Sequence, residues 1–370
     1  MNYYITDFKV PSSEAVALED SIMVKGSPVA AGSKILDGFK APFDAEVVTR
    51  LADNGIKIAG KTKMNEFGIA AVSSDHQEEA SGAVKAVASD AAKYALCNDV
   101  FGQNRRHAAG QGVCYIHPAY GTVSRYGLIP LVSSMDQIGI VCKDLSEGFN
   151  FLSRIAGKDE KDGAMLPDVK YTYENSGKNI KVGLPESIIN QADESAQASI
   201  KNFAGKFDKV NIDLPYFDVY KQVMYILSCA EISNNLSRYD GIKFGYRSPN
   251  YKSLNELYVN TRTEGFGLRT KLAAIMGCMA LSQDQYEPYY EKAMKIRRLI
   301  KESLRFDEYD IIALPTSIGD DPYVNLSLYA LAPLSGRPSV SFPYQGHGIM
   351  LITKAGNESA LLTAWEKARL

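Results

Sequence analysis

The sequence predicts an α/β fold in which helices cover both faces of one mixed, mostly parallel central sheet. Short apolar runs alternate with longer helical patterns along the whole chain, and this alternation is typical of such folds. Neither a flexible linker nor an internal repeat interrupts the alternation. We therefore expect residues 1–370 to form a single domain.

The N-terminal half supplies the first helices and strands. Residues 44–54 have the apolar spacing of an amphipathic helix, with Asp44 near its start and Gly55 at its end. The apolar run 56–59 predicts a buried strand. Three further stretches predict, in order, a helix, a segment of strands and tight turns, and a helix: 81–96, 123–141 and 144–156.

The C-terminal half continues the alternation. Short apolar runs predict strands at 181–184, 210–214, 309–314, 339–342 and 349–353. Longer periodic patterns predict helices at 195–207, 216–239, 270–304 and 359–370. The last two strands are separated by a short turn at residues 344–348, which indicates that they pair with each other.

The composition argues against several classes of function. The formal net charge of −2 gives no global attraction to nucleic acid, and 45% hydrophobic residues are ordinary for a soluble globular protein. No stretch reaches the ~18 apolar residues of a membrane span, and the first residues lack the pattern of a signal peptide. We therefore expect a cytoplasmic protein with no membrane contact and no direct contact with nucleic acid.

The cysteine and histidine patterns indicate neither disulfides nor a metal site. An odd, dispersed set of cysteines is typical of reduced thiols in the cytoplasm: Cys97, Cys114, Cys142, Cys229 and Cys278. The four histidines lack the spacing of a metal pair: His76, His107, His117 and His347. The sequence therefore predicts no metal and no cofactor.

Four stretches, taken together in their order and spacing, resemble the amidase-signature family. They are AGSKIL at 31–36 followed by PFDAEVVTRL at 42–51, GKTKMNEF at 60–67, YGTVSRYGLIPLVSSMDQIG at 120–139, and TRTEGFG at 261–267 followed by YDIIALPTS at 309–317. The similarity is greatest to amidotransferase A subunits and runs from about residue 17 to the C-terminus. It implies the family's single α/β domain, here with a truncated N-terminal helical region and without the C-terminal extension.

The resemblance also implies a chemistry. Family members hydrolyse amides with a Ser–Ser–Lys triad, in which a neutral buried lysine accepts a proton, one serine relays it and a second serine attacks the carbonyl. Backbone N–H groups of a glycine-rich turn form the oxyanion hole.

Two of the three triad positions can be placed by gap-free counting. Counting back from Ser33 places the lysine position on Glu19, so a base is replaced by an acid. Counting back from the Tyr120 anchor places the nucleophile on Gln103, whose amide nitrogen is delocalised into its carbonyl and cannot attack. The register keeps Asp99, Gly102 and Arg105 around it. The matching oxyanion turn is Val100, Phe101 and Gly102, with Phe101 in place of a glycine.

The relay serine is also altered. Counting back from Asp99 places the family's two adjacent serines on Glu79 and Ala80. A shift of one residue would instead place Ser81, beside Gly82, at the relay position.

Two arginines are candidates for ligand binding. Arg262, in TRTEGFG, matches the family arginine that grips the substrate carboxylate; a salt bridge to Glu264 is the structural alternative. Arg125 lies between two glycines and two tyrosines, where it either ties loops together or binds a ligand.

We therefore expect a catalytically inactive amidase homologue that acts as a binding or structural subunit. Its partner would be a second copy of the chain, another amidotransferase-like subunit, or a small carboxylate near Arg262. One alternative is an active amidase with relocated residues, using Cys97 or Cys114 with His107 or His117. A second alternative is a reduced A-type subunit within a complex for tRNA-dependent amidation.

Overall fold

An eleven-stranded mixed sheet forms the centre of the structure, a computed structural model that describes residues 3–10, 14–69, 81–167 and 171–369. The strands are β1 Tyr4–Asp7, β2 Val16–Glu19, β3 Ile58–Thr62, β4 Tyr94–Asn98, β5 Cys114–His117, β6 Ile138–Cys142, β7 Lys181–Leu184, β8 Asp208–Asn211, β9 Ile311–Pro315, β10 Ser339–Tyr344 and β11 His347–Thr353. Their order across the sheet is β1-β3-β2-β4-β6-β5-β10-β11-β9-β7-β8.

The pairing of the described strands is parallel in two groups and antiparallel elsewhere. The parallel groups are β3-β2-β4 and β9-β7-β8. The other six pairings, including the hairpin of β10 and β11, are antiparallel. The mixed sheet is confirmed, although parallel pairs are fewer than the sequence suggested.

Helices cover both faces of the sheet. Their bounds are α1 Glu46–Asp53, α2 Gly82–Ala88, α3 Gln103–Gly110, α4 Leu145–Ile155, α5 Glu186–Ile189, α6 Glu194–Ala204, α7 Tyr220–Leu236, α8 Leu254–Gly265, α9 Leu268–Ala280, α10 Lys292–Glu302, α11 Pro322–Ser335 and α12 Glu358–Arg369.

Side chains that alternate along β9 point into two different apolar clusters, one on each face of the sheet. On β9, Ile312 and Leu314 join one apolar cluster with residues of α7, α9 and α11. Ile311 and Ala313 point the other way and pack with α1, α4, α6 and α12. A strand with apolar residues on both faces must be covered on both faces, so the predicted α/β class with two helical layers is confirmed.

Two predicted helices are corrected by the structure. Within the stretch 81–96 the helix α2 ends at Ala88, and the last three residues begin β4, which lies between β2 and β6. Pairing with two neighbours in the sheet overrides the helix preference of its alanine and leucine. The stretch 270–304 is divided into α9, a π-helical turn Tyr286–Glu291 and α10, and Pro288 lies in that turn.

The sheet topology brings the candidate site residues together. Strands β2 and β4 are parallel neighbours, so their carboxyl ends meet at one edge. Glu19 ends β2, and Asn98 ends β4 just before Asp99 and the turn into α3. Within the described ranges, no helix is both long and apolar enough to cross a lipid bilayer.

Candidate functional site

Glu19 lies buried at the end of β2 among polar neighbours. Its Oε1 atom accepts a hydrogen bond from the Ser21 hydroxyl at 2.6 Å and one from the backbone N–H of Asn98 at 3.3 Å. Burial outweighs both hydrogen bonds and raises the pKa of the Glu19 carboxyl to about 8. At neutral pH this side chain is therefore mostly protonated.

A buried lysine lies beside the same strand end. Lys61, on β3, is paired with Leu18 of β2 and has no exposed surface. Its ammonium lies 3.7 Å from the Asp20 carboxylate and donates to the backbone carbonyls of Asp20 and Ile22. Burial lowers the pKa of Lys61 to about 8, although Asp20 opposes that shift. The lysine therefore ties β3 to the segment that follows β2.

Sequence reasoning missed Lys61 as a member of the site. It belongs to the stretch GKTKMNEF, which stands out by its resemblance to the family rather than by its charge. A lysine inside an otherwise buried strand pattern is the signal that could have found it, because a fully buried ammonium needs partners.

Gln103 is the first residue of α3 and is held by a neighbouring side chain. The Asn65 side-chain amide donates to Gln103 Oε1 at 3.1 Å. The preceding Gly102 has φ +79°, and a Cβ at this position would overlap the ring of Tyr329. The turn into the helix therefore requires glycine both for its backbone angle and for the close approach of α11.

A buried ion pair holds the start of α3. The Asp99 carboxylate accepts the backbone N–H groups of Asn104 at 2.9 Å and Arg105 at 3.0 Å, and the Arg105 Nε at 2.9 Å. Arg105 is fully buried and also donates to the carbonyl of Tyr329 at 3.1 Å. Asp99 and Arg105, which lie around the predicted nucleophile position, thus fix the turn and the helix.

Ser81 lies beside the second residue of α3. Its hydroxyl donates to the Asn104 side chain and accepts from the backbone N–H of Val84, which caps α2. Ser81 thereby contacts the residue that follows Gln103 in the chain. Glu79 and Ala80, the other candidates for the relay position, lie outside the described residues.

Apolar packing surrounds the turn that the sequence predicts to match the family's oxyanion hole. Val100 and Phe101 are buried in the same cluster as Tyr329, and the Phe101 ring lies 6.2 Å from that of Tyr225. These side chains bring an apolar surface to the turn that precedes Gly102.

The structure places both candidate ligand-binding arginines in contacts with other parts of the chain. Arg262 donates to the carbonyls of Leu236 at 2.8 Å and Tyr239 at 3.1 Å, at the end of α7. Its predicted structural partner Glu264 instead accepts hydrogen bonds from Tyr246 and Ser248.

Arg125 forms a bidentate ion pair with Asp162, with Nε 2.9 Å from Oδ2 and Nη2 2.6 Å from Oδ1. It also donates a hydrogen bond to the Tyr120 hydroxyl at 2.8 Å. Burial alone would raise the pKa of Asp162, but the hydrogen bonds from Arg125 outweigh burial and hold it at about 2. This geometry ties the 120–127 segment to the loop that follows α4.

Of the side chains in the alternative mechanism, Cys97, Cys114 and His117 are buried and His107 is partly buried. Burial raises the pKa of the Cys114 thiol to about 12 and that of Cys97 well above its usual range. Burial also lowers the pKa of His107 to about 3 and that of His117 well below its usual range. Over the described ranges, no group of three or more potential ligands is arranged to hold a metal ion.

Comparison with known families shows where this chain belongs. The family model described as "Amidase" matches residues 15–77 and 80–343, which include Glu19, the turn before α3 and α8. The chain belongs to the amidase family.

Several curated relatives are similar over most of this amidase-family chain. The A subunit of the glutamyl-tRNA(Gln) amidotransferase of Lachnoclostridium phytofermentans is 34% identical over 367 residues, covering 89% of this chain and 74% of the relative. The corresponding protein from Halothermothrix orenii, which has the same name, is 36% identical over 330 residues, covering 82% and 69%.

Solved structures show the same architecture. The A subunit of the glutamyl-tRNA(Gln) amidotransferase of Thermotoga maritima superimposes with a TM-score of 0.75 at 25% identity, covering 98% of this chain and 86% of that one. The peptide amidase of Stenotrophomonas maltophilia superimposes with the same TM-score at 23% identity, covering 97% and 83%, and shows the fold alone.

Proposed function

We propose that this chain is a catalytically inactive member of the amidase family that acts as a binding or structural subunit. The observation that carries the proposal is the side chain of Gln103. It stands where the family pattern has its nucleophile, and its carboxamide is hydrogen-bonded to Asn65. A carboxamide has no nucleophilic oxygen or nitrogen of useful reactivity.

The proton acceptor of the triad is also replaced. Glu19 stands at the lysine position, so a carboxyl group replaces the family's neutral amine, and it is buried with hydrogen bonds from the Ser21 hydroxyl and the backbone N–H of Asn98. Lys61 does not substitute for the missing lysine in this proposal. Its ammonium is directed at two backbone carbonyls and Asp20, contacts that hold the proton rather than offer a lone pair to a substrate.

The relocated Cys–His mechanism is disfavoured by the same physical chemistry. A cysteine attacks as a thiolate, and burial raises the pKa of both Cys97 and Cys114 far above neutral pH. Since members of a triad act as a unit, loss of one member costs on the order of 10⁴–10⁶ in rate. Replacement of two or three members leaves no amidase mechanism.

A turnover assay tests this proposal directly. The purified chain, its Gln103→Ala variant and an active amidotransferase of the same family would be assayed for release of ammonia from glutamine and from a panel of simple amides. We expect background rates for the chain and the variant, and no labelling of either by a fluorophosphonate probe. Turnover by the wild type above background would overturn the proposal, and its survival in Gln103→Ala would direct attention to the cysteines.

The binding role has its own test. The relatives are described as subunits, so we propose that this chain also assembles with a protein, either another amidotransferase-like subunit or a second copy of itself. Affinity purification of the tagged chain from its own cells should recover a partner in a fixed ratio. Recovery of the chain alone, as a monomer at every concentration, would contradict the subunit role.

A small carboxylate near Arg262 is the other ligand proposed. Titration calorimetry with glutamate and glutamine would measure it. Arg262→Lys should remove any heat of binding if the guanidinium holds the carboxylate. Equal binding by both proteins would assign Arg262 to its contacts with the Leu236 and Tyr239 carbonyls alone.

A further inference from the structure

Helix α9 packs against α7 through its small residues. Ala273, Gly277 and Ala280 are buried on its inner face. A Cβ at Gly277 would overlap the backbone carbonyl of Cys229, so the two helix backbones approach each other closely there. The inner face of α9 therefore has almost no large apolar side chain to contribute to the core.

The large apolar side chains of α9 lie on its outer face. Leu268 is 72% exposed and Ile275 is 65% exposed. Leu272, Met276 and Met279 are between 37% and 47% exposed. Their spacing places them along one side of a helix. An ordinary amphipathic surface helix buries its large apolar side chains and exposes its polar ones. This exposed apolar stripe of five side chains on α9 departs from that pattern.

The exposed apolar face of α9 is large enough to form the core of a protein–protein interface. Five large side chains at these exposures leave on the order of 500 Å² of contiguous apolar surface, a size at which patches on soluble proteins are often functional. A standard interface removes about 800 Å² from each partner, and about 65% of a homodimer interface is apolar. The α9 face alone therefore offers most of the apolar area that a dimer requires.

The charges around the stripe are complementary to one another. Lys271 lies in the first half of α9, and the segment 268–283 contains no acidic residue. Asp284 and Glu287 lie four and seven residues after the end of α9 and are exposed. A hydrogen bond from the backbone N–H of Gln285 to the Ser282 carbonyl holds the turn that carries Asp284. The face is thus basic towards one end and acidic at the other.

We propose that α9 is the core of a two-fold homodimer, in which it crosses α9 of a second copy in antiparallel orientation near Ile275. In that arrangement the apolar stripes bury each other. The basic end of each helix meets the acidic turn of the other copy, so Lys271 approaches Asp284 of the second copy. Each contact occurs twice, as a two-fold interface demands. The inference is independent of the missing amidase triad, because no residue of the candidate site takes part in it.

The main test is the mass of the full-length protein in solution. Sedimentation velocity over a range of concentrations should show a dimer for the wild type. Ile275→Glu places two carboxylates against each other at the axis and should weaken the dimer on the order of 100-fold or more. Ile5→Glu is the matched control, because Ile5 is 51% exposed on the edge strand β1 and lies outside the α9 face.

The melting temperature of Ile275→Glu should equal that of the wild type, apart from the stability that the dimer itself adds. This result would show that the variant still folds. A wild-type monomer at every concentration would overturn the proposal. So would a dimer that Ile275→Glu leaves intact, since the interface would then lie elsewhere.

A charge exchange tests the antiparallel orientation. Lys271→Glu and Asp284→Lys should each weaken the dimer roughly 2- to 10-fold, and the double variant should restore it. Additive weakening in the double variant would contradict the predicted contact.

Cys278 provides a second measurement of orientation in the wild type. It is the exposed cysteine of the chain, whereas the other four are buried. Two copies crossing near Ile275 place their Cys278 side chains roughly 10–15 Å apart. A bismaleimide of that length should produce a covalent dimer in the wild type and none with Ile275→Glu. Failure to cross-link a protein that sediments as a dimer would exclude this crossing.

Discussion

Helices α3 and α9 depart from the amphipathic pattern in opposite directions. Helix α3 buries polar side chains at its start, Gln103, Asn104 and Arg105, whereas α9 exposes a stripe of leucine, isoleucine and methionine. In α3 the buried polar groups have partners within the chain, including Asp99, Asn65 and Ser81. The polar start of α3 is therefore explained by the fold.

The difference between the two helices shows where a partner is to be sought. Buried polar groups that are hydrogen-bonded within the chain have a structural explanation, even at Gln103, which the sequence predicts to match the family's nucleophile. An apolar stripe on the outer face of a helix that packs through small residues has no such explanation within the described part of the chain. We therefore look for a partner at the α9 face rather than at the site around Gln103.

The largest effect should come from breaking the ion pair at the start of α3. Arg105→Met leaves the Asp99 carboxylate buried without its cation, and we expect a loss of about 3–5 kcal/mol in the free energy of unfolding. Urea denaturation followed by circular dichroism measures it. Arg298→Met is the control, because that arginine forms an exposed pair with Glu302 and should cost less than about 1 kcal/mol. Equal losses would mean that the α3 network is no stronger than a surface contact.

Glu19 should make the free energy of unfolding depend on pH. Its pKa is raised to about 8 in the folded chain, so the folded state holds a proton that the unfolded state has released. The stabilisation is complete below the ordinary glutamate pKa and is lost as the pH rises towards 8, by at most about 1.4 kcal/mol per pH unit.

Urea denaturation between pH 5 and pH 8 checks this dependence. The Glu19→Gln variant should remove the Glu19 contribution and flatten the profile relative to the wild type. Identical slopes for the two proteins would show that Glu19 is ionised throughout.

The close packing of α9 on α7 should tolerate no added methyl group. Gly277→Ala forces a Cβ against the Cys229 carbonyl, and we expect a loss of about 1–3 kcal/mol with a displaced α9. Since the outer stripe moves with the helix, the proposed dimer should also be weaker in this variant than in the wild type. Stability and sedimentation of the same preparation give both results. A neutral substitution would mean that α9 packs more loosely than this contact requires.

The smallest effect is predicted at the end of α3. Gly110 is the last residue of that helix, and a Cβ there would meet no atom within 4 Å. Gly110→Ala should therefore be neutral or stabilising by about 0.5 kcal/mol. Gly110→Ala and Gly277→Ala should therefore change the free energy of unfolding in opposite directions. That difference would distinguish a helix end in open space from a helix face in tight contact. A clear loss at Gly110 would remove that distinction.

Much of the architecture was accessible from the sequence. The C-terminal strand 181–184 and the hairpin of β10 and β11 were predicted because apolar runs bounded by turn residues are local signals. Helix α2 was predicted too long because 81–96 is rich in helix-forming residues throughout. Only pairing with β2 and β6 decides that residues Tyr94–Asn98 form a strand.

The sequence by itself determined the family pattern and the residue types at the matched positions: Glu19, Phe101 and Gln103 are read directly from the chain. Only the tertiary structure decided what surrounds those positions. Lys61 reaches Asp20 because β2 and β3 are paired, and α9 faces outward with its large side chains because Gly277 meets α7. The periodicity of apolar residues indicates that a helix has two unlike faces. Contacts between segments that are distant in the sequence determine which face is buried.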